Sequence, residues 1–315
     1  MTTFLRRPRC NFAILNQSMH MQVFVTGASG FVGSAIVQQL LQQGHGVLGL
    51  ARTAEAAEKL RQAGATAHEG DLNDLNRLKT GAAQCDAVIH TAFNHDFSRF
   101  KASCEEDRQV ILALGEALAG SNRPLIVTSG IGLLHQDRLV TEADRPASAE
   151  TTPRAASEEA VHNLVAQGGN AYILRLPPTV HDKGDHGFIP MVIQMARTHG
   201  VSAYIGEGSN RWPAVHRQDA AQMYRLILEQ QPEQRVFHAV AEEGIPFRQI
   251  ATAIGKGLQL PVTGKDEAGA EAHFGWFKHF AAIDCAASSA QSRATLGWTP
   301  QYPGLMADLV PGIYF

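Results

Sequence analysis

The most restrictive feature of this sequence is a glycine-rich run between a predicted strand and a predicted helix, and it reads Thr26-Gly27-Ala28-Ser29-Gly30-Phe31-Val32-Gly33. Apolar residues over 22–25 predict the strand, and the apolar spacing over 31–43, followed by Gly44, predicts an amphipathic helix. Gly27 permits a tight turn, Gly30 permits close approach of a pyrophosphate, and Gly33 permits close packing of the helix. The helix N-terminus adds amide donors and positive potential. We therefore predict a dinucleotide site at this turn.

Strands and helices alternate after the glycine run. We predict strands over 46–50, 66–69, 86–90, 125–128 and 171–176, and helices over 54–63, 106–119 and 153–166. Because each helix must carry the chain back across the sheet, the strands should run parallel, with ligands at their carboxyl ends. The predicted fold class is α/β, a doubly wound parallel sheet of the Rossmann type with a smaller C-terminal substrate lobe.

Composition narrows the classes of partner. The net charge is only −3 and charged residues make up 18% of the chain, which gives no electrostatic basis for binding nucleic acid. No apolar run approaches the roughly 18 residues of a membrane span. The four cysteines lie far apart, without a C-x-x-C pair or zinc spacing, and therefore predict free thiols in a reducing compartment, the cytoplasm. We expect a small-molecule partner and neither a metal nor a membrane.

The end of the second strand indicates which dinucleotide binds. A binder of the ribose 2′-hydroxyl places Asp or Glu there, but the segment Gly49-Leu50-Ala51-Arg52-Thr53 contains neither. Arg52 can pair with a 2′-phosphate and stack on adenine, and the Thr53 hydroxyl is a second donor. The sequence therefore predicts NADP, with NADPH preferred over NADH; the alternative for Arg52 is an exposed arginine that begins a helix.

The predicted domains follow from where the alternation weakens. Residues 21–178 plus about 215–242 form the NADP-binding Rossmann domain, and about 179–214 and 243–315 form the substrate-binding lobe, whose last fifty residues are rich in helix. Residues 1–20 contain Arg6, Arg7 and Arg9 and no acidic residue, and Met19 and Met21 stand just before the first strand. We interpret this segment as a disordered extension or an upstream start.

Four further segments carry a family resemblance: Gly70-Asp71-Leu72, Thr91-Ala92-Phe93, Val215-His216-Arg217-Gln218-Asp219-Ala220-Ala221 and Leu296-Gly297-Trp298-Thr299-Pro300. With the glycine run, they make the chain resemble the short-chain dehydrogenase/reductase superfamily, in its extended or atypical branch of the NAD-dependent epimerase/dehydratase type. The resemblance implies that Asp71 contacts the adenine, that Thr91, Ala92 and Phe93 line the nicotinamide ribose, and that Asp219 is structural. It also permits a homodimer.

The catalytic pattern of the resembled family is broken in this chain. Its members use a Tyr-x-x-x-Lys pair on the helix after the fifth strand, with Ser or Thr at the end of that strand. Here Arg154 matches the tyrosine and Glu158 the lysine, while Ser129 retains the hydroxyl, with Gly130 as the alternative alignment. An i, i+4 pair between Arg154 and Glu158 is expected, either as a surface ion pair or with Arg154 donating to a substrate oxygen.

The remaining candidates for proton transfer are histidines near the predicted substrate loop. His186, in a Gly-Asp-His-Gly segment, and His216 can titrate near neutral pH, although a single histidine is often structural. The predicted catalytic residues are thus Ser129, Arg154, His186 and His216. The predicted cofactor-binding residues are Gly27, Ser29, Gly30, Phe31, Val32, Gly33, Arg52, Thr53, Asp71, Leu72, Thr91, Ala92, Phe93, Thr128 and Ser129.

Three functions fit these features. The leading hypothesis is an NADP(H)-dependent oxidoreductase, an atypical short-chain reductase that acts on a small carbonyl or alcohol metabolite by hydride transfer. The alternative is a non-catalytic NADP(H)-binding redox sensor, which the absence of the Tyr/Lys pair favours. A nucleotide-sugar epimerase or dehydratase is a weaker alternative, because those enzymes also use the pair and the sequence offers no dedicated diphosphate clamp.

Overall fold

The computed structural model describes residues 20–134 and 138–315 of the 315-residue chain. The strands are β1 Gln22–Thr26, β2 Gly46–Ala51, β3 Thr66–Glu69, β4 Ala87–His90, β5 Leu125–Gly130, β6 Ala171–Leu176, β7 Thr179–His181, β8 Ser202–Ile205, β9 Arg211–His216, β10 Val236–His238, β11 Glu242–Pro246 and β12 Val262–Lys265. The predicted extension over residues 1–19 lies outside the described residues.

The helices alternate with these strands in the first two thirds of the chain and dominate its last part. They are α1 Phe31–Gln42, α2 Ala54–Gln62, α3 Leu75–Ala83, α4 Phe100–Leu118, α5 Ala156–Ala166, α6 Phe188–His199, α7 Arg217–Gln230, α8 Phe247–Leu258, α9 Glu267–Phe274, α10 Lys278–Ala282, α11 Ala290–Leu296 and α12 Leu305–Asp308. Short 3-10 helices precede α4 and α5, at Phe97–Arg99 and Pro153–Ala155.

Seven strands form the main sheet in the order β10-β6-β5-β4-β1-β2-β3, and every pair in it is parallel. The sequence explains the two-sided burial, because alternate residues of one strand enter different hydrophobic clusters. Val23 and Val25 belong to the cluster under α1 and α7, whereas Phe24 belongs to the cluster under α3 and α4. A sheet covered by helices on both faces is the predicted doubly wound fold, which is confirmed.

A third hydrophobic cluster forms the smaller lobe. It is built from α6, α8, α9 and α10 around Trp212, Phe247 and Phe277. Two small sheets belong to this part, a three-stranded one in the order β11-β9-β7 and a parallel pair β12-β8. Ile131, Leu134 and Val140 also belong to it. The boundaries of an independently folding unit stay a prediction.

Asp219 ties the last segment of the chain to the main sheet. Its carboxylate accepts hydrogen bonds from the backbone amides of Gln301 and Tyr302, at 2.8 and 3.1 Å. The indole of Trp298 donates to its backbone carbonyl at 3.1 Å. This geometry agrees with the structural role expected of Asp219 and joins two of the recognised segments, 215–221 and 296–300.

Cys85, Cys104 and Cys285 are free and buried, and burial raises their thiol pKa values to about 11, 11 and 12. The fourth, Cys10, lies outside the described residues. Within residues 20–134 and 138–315, no helix is both long and apolar enough to cross a bilayer.

Candidate active site

A large cleft opens at the carboxyl ends of the main-sheet strands and extends to the smaller lobe. Its volume is about 1970 Å³. Every predicted cofactor-binding residue lines it, as do Ser129, Arg154 and His186 of the predicted catalytic set. The topology therefore brings these predicted residues into one cavity, since parallel strands end at one edge of their sheet.

The glycine turn has the backbone that a dinucleotide phosphate requires. Gly27 has φ +68°, and a Cβ at this position would lie 2.7 Å from Thr91 Oγ1 and 2.8 Å from the Ala92 nitrogen. A Cβ at Gly33 would lie only 2.0 Å from the Gly27 carbonyl oxygen, so α1 packs directly on the turn. Gly30 begins α1 without a side-chain cap, and the first turn of the helix has no acidic residue. The turn therefore leaves amide donors for a phosphate.

The end of β2 presents an uncommitted cation. Arg52 is exposed and forms no hydrogen bond or ion pair with the residues that the structure describes, and it lines the cleft. Thr53 caps α2, because its side chain accepts from the Ala56 amide at 3.2 Å. After the neighbouring strand β3, Asp71 Oδ1 accepts from the Asn73 amide at 2.7 Å. The end of β2 therefore carries an arginine, Arg52, and no carboxylate.

Ser129 and Glu158 lie at the position where the family pattern expects the hydroxyl and the lysine. Ser129 Oγ donates to Glu158 Oε1 at 2.6 Å, and Arg175 of β6 donates to both carboxylate oxygens, at 2.8 and 2.7 Å. Burial opposes ionisation of Glu158, but the hydrogen bonds and charge of Arg175 lower its pKa overall. The serine proton is therefore directed at a carboxylate rather than at the cleft.

His238 completes this buried group from β10. Its Nδ1 lies 2.8 Å from the Ser288 carbonyl and must carry the proton, so Nε2 accepts from Arg175 Nη1 at 3.1 Å. Burial first, and then the Arg175 charge, lower the pKa of His238 to about 4. The histidine is consequently neutral at pH 7 and orients the guanidinium.

Arg154 occupies the position that matches the family tyrosine, and it belongs to a second polar group. Its Nη1 donates to Asp107 Oδ2 at 2.9 Å and to Ser157 Oγ, and its Nη2 donates to the Thr128 carbonyl at 3.2 Å. Those bonds use three of the five N–H groups that a guanidinium offers. Its central carbon lies 4.2 Å above the Phe93 ring. Arg154 can therefore donate further hydrogen bonds into the cleft that it lines.

Asp107 anchors Arg154 from α4 and is buried. Its other oxygen accepts from His90 Nε2 at 2.9 Å, and His90 Nδ1 lies 2.7 Å from Thr26 Oγ1. Burial alone would raise the pKa of Asp107, but the charge of Arg154 and the contacts of His90 lower it to about 2. The carboxylate stays ionised and fixes the guanidinium beneath the cleft.

The predicted pair between Arg154 and Glu158 is wrong. Although the two residues are four apart, each pairs across elements, Arg154 with Asp107 and Glu158 with Arg175. The reason is that Arg154 lies in the 3-10 helix that precedes α5, whereas Glu158 lies inside α5 on its buried face. Neither is the surface ion pair that the spacing suggested.

The two predicted histidines have different surroundings. His216 caps α7, accepts from the Gln218 amide at 3.2 Å and stacks on Tyr302 at 4.7 Å, and it is not among the residues that line the cleft. His186 lines the cleft, and its ring meets the edge of Phe31 in the glycine turn at 5.9 Å. His186 therefore lies toward the phosphate end of the cleft.

Several residues of the site were missed from sequence. His95 lines the cleft, with its ring 5.2 Å from that of Phe93, whose face carries Arg154. Asp107 and Arg175 were not predicted as site residues, because they lie within helix α4 and strand β6. One signal was present for Arg175, because a charge in the apolar strand Ala171–Leu176 requires a buried partner. His95 had no comparable signal, since it stands in an irregular segment.

Comparison with known proteins agrees with this geometry. The model of the NAD dependent epimerase/dehydratase family matches residues 23–239. The chain is 50% identical to an uncharacterized protein of Schizosaccharomyces pombe, over 94% of this chain and all of that one. It is 44% identical to an uncharacterized protein of Saccharomyces cerevisiae, over 92% of this chain and 98% of the relative.

Two more distant matches have named activities. The chain is 25% identical to a 4-hydroxy-2-methyl-3-oxo-4-farnesyl-3,4-dihydroquinoline-1-oxide ketoreductase of Stigmatella aurantiaca, over 74% of this chain and 72% of that one. Among solved structures, a UDP-glucose 4-epimerase of Thermotoga maritima superposes with a TM-score of 0.72 at 17% identity, covering 93% of this chain and 98% of the epimerase. The similarity to the epimerase structure shows the fold alone.

Proposed function

The chain belongs to the NAD dependent epimerase/dehydratase family, and we propose that it is an NADP(H)-dependent oxidoreductase, an atypical short-chain reductase. It reduces a small carbonyl metabolite or, in the reverse direction, oxidises the corresponding alcohol. The observation that supports it is Arg154, which lines the cleft with N–H groups to spare and is fixed by Asp107. A preorganised donor of this kind stabilises the negative charge that develops on a carbonyl oxygen. The ketoreductase relative is consistent with the same reaction class.

The residues of the chain perform the steps other than hydride delivery. NADPH, when bound, supplies a hydride to the carbonyl carbon. Arg154 binds the carbonyl oxygen and stays charged throughout, because guanidinium does not release its proton near neutral pH. The proton that converts the oxyanion to an alcohol is passed on by a histidine of the cleft, and His95 packs on the same Phe93 ring as Arg154. Burial and the charge of Arg154 lower the pKa of His95, so it takes up from water the proton that it donates. In the reverse direction the neutral histidine accepts the proton of the alcohol, and Arg154 holds its oxygen.

The cofactor preference in this proposal rests on Arg52. An exposed arginine with no partner in the described parts of the chain, at the end of β2 where an NAD-specific site needs a carboxylate, favours a ligand with a 2′-phosphate. Thr53 Oγ1 accepts the cap bond of α2, which leaves its O–H free to donate one further, uncharged hydrogen bond. We therefore place most of the discrimination between NADPH and NADH on one guanidinium.

The experiment that tests the proposal combines binding and turnover on one sample. Calorimetric titration with NADPH and with NADH should give a dissociation constant at least about tenfold lower for NADPH. A panel of ketones, aldehydes and alcohols, followed by absorbance of NADPH, should then identify a turned-over compound. Equal affinity for the two cofactors would remove the NADP assignment, and tight binding with no turnover across the panel would remove the enzyme.

One observation favours a second candidate, a non-catalytic NADP(H) sensor. The lysine that the family uses at the ribose is replaced by Glu158, which is neutralised by Arg175 and holds the Ser129 proton. In this alternative, NADPH binding shifts a conformation instead of supporting a reaction. Hydrogen exchange of the apo and NADPH-bound chain separates the two, since a sensor requires protection changes beyond the cleft without any turnover.

A further inference from the structure

We infer that the substrate end of the cleft takes a flat, apolar carbonyl compound with an aromatic ring system, held by an aromatic wall of Phe97, Phe188, Trp276 and Phe280. The carbonyl part of this inference rests on the proposed reductase activity; the ring system does not. All four side chains line the cleft. They come from three elements, the 3-10 helix before α4, the start of α6 and the segment around α10.

The rings of the aromatic wall pack against one another and form a continuous surface. Phe97 stacks on Trp276 with 5.2 Å between ring centroids and meets Phe280 at 5.5 Å. Phe188 meets Phe280 at 5.0 Å. Aromatic side chains arranged in this way present ring faces and edges that match another aromatic ring.

Trp276 is exposed although it is part of this wall. It is 57% exposed, more than any other large hydrophobic side chain in the described parts of the chain. Covering an exposed indole in a cleft with an apolar ligand removes apolar surface from water, and this contributes favourably to the free energy of binding. We infer that a bound ring system covers Trp276.

The wall of the smaller lobe also lacks the charges that a nucleotide sugar needs. Among the described lining residues from Gly187 onward there is no Asp, Glu, Lys or Arg, and His279 is the one basic side chain; the other large side chains are Phe188, Met191, Trp212, Trp276, Phe280 and Ile283. A diphosphate taken out of water needs cations or several donors. The composition of this wall therefore favours an apolar ligand over a nucleoside diphosphate.

The size of the cleft leaves room for such a molecule beside the cofactor. At about 1970 Å³ it exceeds the roughly 300–1,000 Å³ of a site for one small ligand. The glycine turn, Arg52 and Arg154 mark the cofactor side, and the aromatic wall is formed by Phe97, before α4, with Phe188, Trp276 and Phe280 of the smaller lobe. A ring compound that projects its carbonyl toward Arg154 fits this division.

The test measures binding of 2-acetylnaphthalene and of UDP-glucose by calorimetry, each with and without NADP⁺. The expected result is a dissociation constant for 2-acetylnaphthalene at least about tenfold below that for UDP-glucose. Trp276→Ala should raise the constant for the naphthyl ketone about tenfold and leave that for NADPH unchanged. Phe97→Leu is a second variant of the wall, and Met306→Ala removes a comparably exposed apolar side chain outside the cleft as the control.

The outcomes separate this inference from the proposed function. Two outcomes overturn the aromatic wall as the substrate site. One is tighter binding of UDP-glucose than of 2-acetylnaphthalene. The other is an affinity for the naphthyl ketone that stays within twofold of the unaltered protein in both Trp276→Ala and Phe97→Leu. Failure of NADPH to bind, with the ketone still bound and still weakened by Trp276→Ala, overturns the proposed reductase and leaves the wall. If small aliphatic ketones are turned over and Trp276→Ala does not change that turnover, the proposed reductase stands and the aromatic wall as the substrate site is overturned.

Discussion

The carboxylate of Glu158 and the guanidinium of Arg175 form a two-point ion pair, with N–O distances of 2.8 and 2.7 Å, and both side chains are 1% exposed. Taking two charges out of water is costly, and only close geometry with further hydrogen bonds offsets that cost. Ser129 and His238 supply those bonds. Glu158 is therefore held by β6 and is not available as a ribose ligand.

Removing either partner of this pair should destabilise the protein strongly. Arg175→Met and Glu158→Gln should each lower the free energy of unfolding by about 3–5 kcal/mol, because each leaves a buried polar group without its partner. The double variant should lose clearly less than the sum of the two. Urea denaturation measures all three. Arg108→Met, which breaks a more exposed pair with Glu159, is the control and should cost about 1 kcal/mol or less.

Replacement of Arg52 should change cofactor choice without changing stability. Arg52→Ala should weaken NADPH about 10- to 100-fold and NADH by less than about threefold, since only NADPH has the 2′-phosphate for a charged hydrogen bond. Arg61→Ala, an exposed arginine of α2 paired with Glu58, is the matched control. Calorimetric titration measures both cofactors. An equal loss for NADPH and NADH would contradict the assignment of Arg52.

The parallel sheet could be predicted from sequence because its strands are short apolar runs separated by amphipathic helices. The glycine turn, β2, α2 and β3 follow the expected pattern closely. Helix α3 was not predicted, although Asp74 caps it and Leu75, Leu78 and Ala82 have helical spacing. The small sheets of the second lobe were not predicted either, since β7 and β8 are only three and four residues long.

The chemistry of the site was less predictable than its location. Motif spacing located the residues that line the cleft, because ligand positions follow from strand order. It did not give the partners of Arg154 and Glu158, because Asp107 and Arg175 are distant in sequence and meet them only through packing of α4 and β6. Pairing across elements depends on helix rotation and strand register, which a single sequence does not specify.

Stability should fall with acid through His238. In the folded chain its pKa is about 4, whereas an unfolded histidine titrates near 6.5. Between these values the unfolded chain binds more protons, so the free energy of unfolding decreases as pH falls from 6.5 to 4, by up to about 1.4 kcal/mol per pH unit for one group. Urea unfolding at a series of pH values measures the slope. His238→Gln should flatten it, the exposed His279→Gln should not, and identical slopes would contradict the assignment.

Arg154 should matter for turnover more than for cofactor binding. Arg154→Lys keeps the charge beside Asp107 but loses the planar set of donors, so kcat should fall about 10²- to 10³-fold. The dissociation constant for NADPH should stay within about threefold. Arg108→Lys, on α4 and outside the cleft, is the control. The measurement is steady-state kinetics with a turned-over carbonyl compound; activity retained within threefold would remove Arg154 from the reaction.

Of the three histidines that line the cleft, His95 and His186 should differ in their effects, because they contact different ends of it. His95 packs on Phe93 beside Arg154, so His95→Asn should lower kcat at least about 10²-fold by removing a proton donor, with NADPH affinity unchanged. His186 packs on Phe31, whose face Arg217 also covers at 5.0 Å. His186→Asn should therefore weaken NADPH several-fold and leave kcat at saturating NADPH nearly unchanged. Kinetics at saturating and limiting NADPH distinguish these effects; a kcat loss confined to His186→Asn would transfer the proton-donor role to that residue.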